Sequence, residues 1–406
     1  MKQIVVLGAG YAGLRTVTQL QKKLKDQAHI TLVNREPYHY QATMIHEVAA
    51  GNIPTSKVTF DIQPLLNPSQ TTLIVDTVIN VDPDARTVQL ANHDDLHYDY
   101  CVLAVGFISE TFGIKGAEEN SLPLTNVKQA EAINQHIEEQ MKAYQKDHNP
   151  NDLKIVVCGA GFTGIELVGE LADARPRYAK LAGVNPEDIH IEVLDAAARL
   201  LPMFNDKLAH YGISLVKKLD VTVTTQALIQ EIKPGVVLYR KAGEGDDQPL
   251  HQIQANTIIW TTGVSGSSVI AKAGLKQRRG RVMVTGHLTD PDHDDLYLIG
   301  DVAAVMPPQG KRPYPTTAQI ALSMATFVAE DLTARLKQQQ RPSNYVYHSQ
   351  GTVASVGDTR GLGTTGSLSL KGYPASALKK IIVDKSLLEL GGMKLMMKKG
   401  RFDLYH

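Results

Sequence analysis

The chain has 406 residues, and 42 Lys+Arg balance 42 Asp+Glu to a formal net charge of zero. That length allows about two to three domains with cores of their own, and 43% apolar with 21% charged residues is a globular composition, not a disordered one. The charge balance removes the field that draws in nucleic acid, two cysteines exclude a disulfide framework or a close redox pair, and no run of 18 apolar residues exists to span a bilayer.

Met1-Lys2-Gln3 leads directly into apolar Ile4 to Leu7, which predicts a first strand and no signal peptide. The run continues as Gly8-Ala9-Gly10-Tyr11-Ala12-Gly13, after which Leu14, Val17, Leu20 and Leu24 recur at helical spacing. A second strand, Ile30 to Val33, completes a strand–turn–helix–strand unit. Tyr100 to Gly106 is an apolar strand ending in Ala-x-Gly. Gln129 to Asp152 is polar, with an exposed helix expected over Ala130 to Tyr144. Then the first unit repeats: Ile155 to Cys158, Gly159-Ala160-Gly161-Phe162-Thr163-Gly164, a helix carrying Ile165, Val168 and Leu171, and the strand Ile189 to Leu194. Val221 to Thr225, Val236 to Arg240 and Thr257 to Thr262 read as strands, with a polar loop at Gly243 to Pro249. Asp295 to Asp301 is a buried strand ending in Gly-Asp. Lys311 to Gln319 is a rigid loop feeding a helix that Thr316 or Thr317 would cap. Leu336 to Asn344 is a polar linker before a Gly- and Lys-rich tail.

One Gly-x-Gly-x-x-Gly is weak evidence, since a glycine-rich turn need bind nothing. Between a strand and a helix its logic is physical. The first glycine permits the turn, the second lets amides approach a pyrophosphate, and the third lets helix and strand pack closely. The helix N-terminus then faces the anion. Two copies in matching context predict two dinucleotides on one α/β chain with two Rossmann-like domains. Asp195, after the second unit's second strand, is placed to accept from ribose hydroxyls and to repel a 2′-phosphate, favouring NADH over NADPH, although Arg199 lies four residues on. The matching position of the first unit is Asn34, followed by Arg35 and Glu36. Glu166 lies two residues beyond the second fingerprint. It is either a first-turn acid complementing the helix dipole or a carboxylate that orients a nicotinamide and helps deliver protons. Glu170, one turn on, is either its relay partner or a solvated helix residue. Cys101, Cys158 and Trp260 are expected in the core, His39 and His46 are structural or lie near the bound group, and no spacing suggests a metal.

The Ala-x-Gly and Gly-Asp strands resemble those of the flavoprotein reductases that bind two dinucleotides. Phe107 to Gly113, Gly161-Phe162-Thr163-Gly164-Ile165-Glu166 and Pro315-Thr316-Thr317-Ala318-Gln319 narrow the resemblance to type II NADH dehydrogenase, the single-subunit, non-proton-pumping NADH:quinone oxidoreductase, over Met1 to about Lys399. The resemblance implies FAD contacts at Gly8, Gly10, Ala12, Gly13, Asn34, Arg35, Val78, Gly106, Asp301, Ala318, Gln319 and Lys379, with Asp301 on the ribitol unless it is a helix cap. It implies NADH at Gly159, Gly161, Gly164 and Asp195, and Glu166 as the catalytic residue beside the nicotinamide. Residues 1–112 and 266–335 would form an interrupted FAD domain, 113–265 the NADH domain with its leading helix, and 336–406 a membrane-associated region. Where the family carries further glutamines beside the quinone, this chain has Leu322, Ser323 and Met324.

The tail from Lys371 to His406 holds eight basic residues against three acidic ones, a local balance of +5, interleaved with large apolar residues and split by Gly391-Gly392. That pattern suits helices lying in an anionic membrane interface, and also a soluble docking or dimerisation pair; a quinone acceptor favours the membrane. The expected function is hydride transfer from NADH to FAD and then two electrons to a membrane quinone of the menaquinone or ubiquinone type, on the cytoplasmic face of a cell membrane, with a homodimer left open. The alternatives are a soluble FAD-dependent NADH oxidoreductase with another acceptor and a slow-turnover redox sensor that binds both nucleotides.

Overall fold

Ile4, Val5, Val6 and Leu7 are almost wholly buried, as a run apolar on both faces requires of a strand covered from two sides. In the computed structural model, which describes residues 1–402, they form the strand Lys2–Leu7 at the middle of a five-stranded sheet. The strand order is Leu296–Leu298, Tyr100–Leu103, Lys2–Leu7, Ala28–Asn34, Thr71–Val75, and every pair is parallel. The second apolar run repeats the arrangement. Lys154–Cys158 is the middle strand of Leu122–Pro123, Thr257–Trp260, Lys154–Cys158, His190–Leu194, Val221–Thr224, again parallel throughout. Even the register is shared: Ile4 sits between Ile30 and Tyr100, and Ile155 between Ile191 and Thr257.

Each parallel sheet is accompanied by a three-stranded antiparallel meander, Val78–Asp82 to Leu96–His97 in the first unit and Ala227–Lys233 to His251–Gln254 in the second. The chain therefore repeats a whole α/β unit of the Rossmann type, not only a glycine motif. The first sheet draws four strands from residues before 104 and its last, Leu296–Leu298, from beyond the second unit. The outgoing Phe107–Ser109 and the returning Val264–Gly266 pair antiparallel, so the two crossings are tied to each other.

The helix expected over Ala130 to Tyr144 runs from Val127 to Asp147, capped by Asn126, whose side chain accepts from the Gln129 amide at 3.0 Å. It is not exposed all round. Val127, Ala130, Ile133, Ile137 and Met141 recur every three or four residues and form a buried stripe.

Beyond the helix Ala318–Leu336, residues 337–351 form no regular element; then come the antiparallel strands Thr352–Ser355, Gly361–Thr365 and Leu368–Lys371 and the helix Tyr373–Lys399. That helix breaks at Gly392, whose φ of 75° favours glycine. Arg401 N consequently donates to Asp384 Oδ1 at 2.6 Å, atoms that a straight helix would hold roughly 25 Å apart at 1.5 Å per residue. The tail is thus a helical hairpin, and it is built into the body. Ala354, Val356, Leu362 and Val383 belong to the core of the second unit, and Leu387, Leu390 and Leu395 to that of the first. Residues 403–406, the last of the basic and apolar tail, lie outside the described residues.

The irregular stretch is anchored at its start by Asp331. This fully buried carboxylate accepts from the Tyr297 hydroxyl at 2.6 Å, from Arg341 Nε and Nη2 at 2.9 and 2.8 Å, and faces His287 Nδ1 at 3.0 Å. Burial opposes its charge, but these partners prevail and hold it below the usual carboxylate range. Asp331→Ala should therefore cost about 3 to 5 kcal/mol, the penalty for breaking a buried pair by removing one partner. A denaturant midpoint unchanged from the native chain would show that Asp331 anchors nothing.

Candidate active site

The two fingerprints have nearly superimposable local geometry. Gly8 and Gly159 take φ of 98° and 107°, and their amides donate to Val33 and Leu194 at 2.8 and 2.7 Å. A Cβ on Gly13 would lie 1.8 Å from the Gly8 carbonyl oxygen, and one on Gly164 would lie 1.9 Å from that of Gly159. Only glycine permits helix and turn to approach so closely. Gly10 and Gly161 are exposed, with nothing near the space a Cβ would take; both open the helix N-terminus to a ligand.

The units differ at the end of the second strand. Asp195 Oδ2 accepts from the Ala160 amide at 2.7 Å and Oδ1 from the Ala197 amide at 2.7 Å. Asn34 Oδ1 accepts from the Ala9 amide at 2.9 Å, the same bond, but Nδ2 donates to the Glu36 carbonyl at 2.8 Å. A neutral carboxamide therefore reproduces the clamp on the fingerprint loop without the charge.

A cavity of about 1510 Å³ opens over the first unit. Gly8, Gly10, Ala12, Asn34, Arg35, Val78 and Gly106 line it, as do Asp301, Ala318, Gln319 and Lys379. Gly13 does not; it acts beneath the surface by packing on Gly8. Asp301 lies within a single 3-10 turn, Gly300–Val302, and makes no cap bond, so the helix-cap alternative does not apply. Burial raises its carboxyl to about 6, partly opposed by Arg281. Thr317 caps the Ala318–Leu336 helix, accepting from the Ile320 amide at 3.3 Å, which aims that helix start at the cavity. Gly159, Gly161, Gly164 and Asp195 lie outside the lining. Their helix reaches it through Phe162, Thr163 and Glu166.

Glu166 is 8% exposed and anchored by partners that sequence reasoning missed. Ser355 N donates to its Oε1 at 3.1 Å and Lys379 Nζ at 2.8 Å. The lysine also donates to Ser355 Oγ at 2.7 Å and to His46 Nε2 at 3.2 Å. His46 is held neutral by burial and by the neighbouring Lys379 and Arg401. His39 is neutral too, lowered to about 4 by burial. Its Nδ1 donates to the Ala9 carbonyl at 2.8 Å, leaving Nε2 buried without a partner at the cavity wall. No spacing ties Ser355 to Glu166, 189 positions earlier, so its role was illegible.

Glu170 is not a solvated residue. It is 4% exposed, accepts from Asn52 Nδ2 at 2.6 Å, and shares a small second cavity with Glu47, Asp358, Lys379, Lys380 and Arg401. Cys101 and Cys158 are fully buried, with thiols pushed up by burial, and Trp260 is a core residue that donates to the Glu110 carbonyl at 2.9 Å. Leu322 and Ser323 line the large cavity; Met324 turns into the core, where its sulfur accepts from the Gly300 amide at 3.3 Å. Among the described residues, no group of three or more His, Cys, Asp or Glu side chains could hold a metal ion.

Burial, with the nearby Glu47 carboxylate, raises the Glu170 carboxyl to about 8. A folded-state value above the unfolded one favours the protonated fold, so this group's contribution is greatest at low pH and fades as pH rises toward 8. Glu170→Gln, which keeps the oxygen facing Asn52, should gain thermal stability relative to the native chain between about pH 5 and pH 8.5. Parallel pH–stability curves would contradict that assignment.

A sequence model of the pyridine nucleotide-disulphide oxidoreductase family matches residues 2–325. Curated proteins named type II NADH:quinone oxidoreductase from Staphylococcus haemolyticus and Staphylococcus aureus are 36% and 35% identical to the chain over 406 residues, covering 99% of each partner. Among solved structures, NDH2 of Plasmodium falciparum in complex with NADH superimposes with a TM-score of 0.85 at 16% identity, over 98% of this chain and 97% of that one. The sulfide:quinone oxidoreductase of Aquifex aeolicus gives 0.78 at 21% identity, over 96% and 91%; both likenesses concern the fold. Duplicated fingerprints, a shared cavity with Glu166 at its edge, and full-length identity to these relatives agree: the chain belongs to the type II NADH:quinone oxidoreductase family.

Proposed function

We propose that the chain oxidises NADH and reduces a quinone through bound FAD, without pumping protons. One observation carries the reading: the cavity over the first fingerprint is also lined by Phe162, Thr163 and Glu166 from the helix of the second. A group held on the first unit is therefore reached by a nucleotide held on the second. FAD fits the residues present. The Gly8–Gly13 approach leaves room for backbone only, the helix start at Tyr11 faces the space a pyrophosphate needs, and half-buried Asp301 and buried His39 Nε2 offer acceptors to a hydroxylated chain. Arg35, Val78, Gly106, Ala318, Gln319 and Lys379 complete its walls. When bound, FAD supplies hydride acceptance and two-electron transfer, which no side chain here provides.

The chain's own residues do the rest. Asp195 uses one lone pair of each oxygen on a backbone amide and keeps others for the ribose hydroxyls of NADH, while its charge repels a 2′-phosphate. Gly159, Gly161 and Gly164 admit the pyrophosphate. Overall, NADH, one solvent proton and a quinone give NAD⁺ and a quinol. Glu166 is the carboxylate at the cavity edge able to pass that proton, held in place by Lys379 and Ser355.

The C-terminal hairpin supports attachment to one membrane face, here assigned to the cytoplasmic side. Among the described residues no helix is long and apolar enough to cross a membrane. Lys379, Lys380 and Arg401 point inward to Glu166, Asp358 and Glu47. The outer face instead carries exposed Ile381, Ile382, Leu388, Met393 and Met397 among Lys385, Lys394 and Lys398, as an interfacial helix requires. Ile381, Ile382 and Lys385 also line the large cavity, which supports entry of a lipid-soluble substrate from that face.

Glu166→Gln should keep FAD and lower quinone turnover by about 10²-fold; quinone reduction at the native rate would remove Glu166 from the mechanism. Truncating the tail would strip Leu387, Leu390 and Leu395 from the core. Membrane attachment is better tested by replacing Ile381, Ile382, Met393 and Met397 with serine, which should release the folded enzyme from anionic vesicles. Vesicle binding equal to that of the native chain would refute an apolar contact.

A further inference from the structure

Leu322 and Ser323 leave this wall of the large cavity short of long polar side chains one turn beyond Gln319, and Met324 turns away from it. The irregular stretch facing that wall carries two tyrosines. Tyr347 is already engaged: its hydroxyl donates to Gln319 Oε1 at 2.5 Å, and its ring meets Tyr314 edge-on at 5.5 Å. Tyr345 is not. It is 6% exposed and lines the cavity, yet its hydroxyl has no hydrogen-bond partner in the protein. Its ring is fixed edge-on to Phe327 at 5.4 Å and its amide donates to the Gly286 carbonyl at 2.8 Å. The residue is therefore rigidly placed, with its polar atom uncompensated. Burial keeps the phenol protonated, at about 12, eased slightly by the Ser323 hydroxyl, which faces it outside normal hydrogen-bond geometry.

A buried hydroxyl without a partner costs about 1–3 kcal/mol, a penalty that a ligand acceptor removes. Ser323 and Phe327 lie one and two turns along the helix from Gln319, about 6 and 12 Å at 1.5 Å per residue, past the helix start that faces the expected flavin. The acceptor at this depth belongs to what enters after the flavin site is filled. We propose that the Tyr345 hydroxyl donates a hydrogen bond to a carbonyl oxygen of the quinone headgroup, taking in this chain the place of the polar contact absent at Leu322. The assignment rests on the quinone reading above.

The test uses FAD-loaded Tyr345→Phe, which removes one oxygen and keeps the ring packing. Its KM for a soluble quinone analogue should rise about three- to tenfold, the loss of one ordinary hydrogen bond. NADH oxidation with ferricyanide, which takes electrons without docking in the pocket, should match the native rate, as should FAD retention, while the melting temperature should hold or rise because an unpartnered buried hydroxyl is removed. An unchanged quinone KM overturns the proposal, and weakened FAD retention with unchanged KM assigns the hydroxyl to FAD and overturns it equally. A native enzyme that reduces ferricyanide but no quinone defeats the functional reading itself, a result visible before the variant is made.

Discussion

The ion pair between Glu166 and Lys379 is where the first unit, the second unit and the C-terminal region meet. Glu166 comes from the helix of the second fingerprint, Lys379 from the C-terminal hairpin, Ser355 from the last small sheet, and His46 from the first unit. Separate cores underlie the two parallel sheets, residues of both units line the large cavity, and this polar junction fixes one side of it. Because the pair is largely buried, with its side chains 11% and 14% exposed, its members are held by directional bonds more than by salt-screened attraction at a surface. The shape of the cavity follows from that rigidity, since the wall carrying Glu166 and the wall carrying Lys379 cannot drift apart independently.

What the sequence disclosed depended on whether the information was local. The fingerprints, the Asn34 and Asp195 positions and the Thr317 cap are each set by a few neighbouring residues, and the periodicity of Leu14 to Leu24 and Ile165 to Leu171 is visible in one dimension. The burial of the Val127–Asp147 stripe was partly legible; the polar residues around Ala130 and Ile133 masked an apolar face that counting every third or fourth position uncovers. The polar partners of the site were not legible. Ser355 and Asn52 gain their roles from contacts across 189 and 118 positions, and a lone serine, asparagine or tyrosine carries no periodic signature. Charge patterning misled in one respect. Lys379, Lys380 and Arg401 belong to a basic tail by composition, yet each is turned inward and paired with a carboxylate.

The two units show how far a duplicated fold can diverge while its backbone stays fixed. The same amide, from Ala9 or Ala160, is clamped by a carboxamide in one copy and a carboxylate in the other. In the first copy the surrounding residues close over a deep cavity; in the second the corresponding glycines lie outside it. Such an arrangement suits one nucleotide that stays and another that comes and goes, with the difference made by side chains and by the C-terminal region rather than by the sheets.

The hairpin at Gly392 has a mechanical consequence. Its outer arm presents Met393 and Met397 to the surroundings, while the chain immediately after it returns to Asp384 and, through Arg401, to Glu47 in the small cavity behind Glu166. A few residues therefore separate two well-exposed methionines from the guanidinium that pairs with buried Glu47. Straightening the helix at Gly392 would carry the Arg401 guanidinium away from Glu47, so the backbone conformation of one glycine decides whether a buried carboxylate keeps its cation.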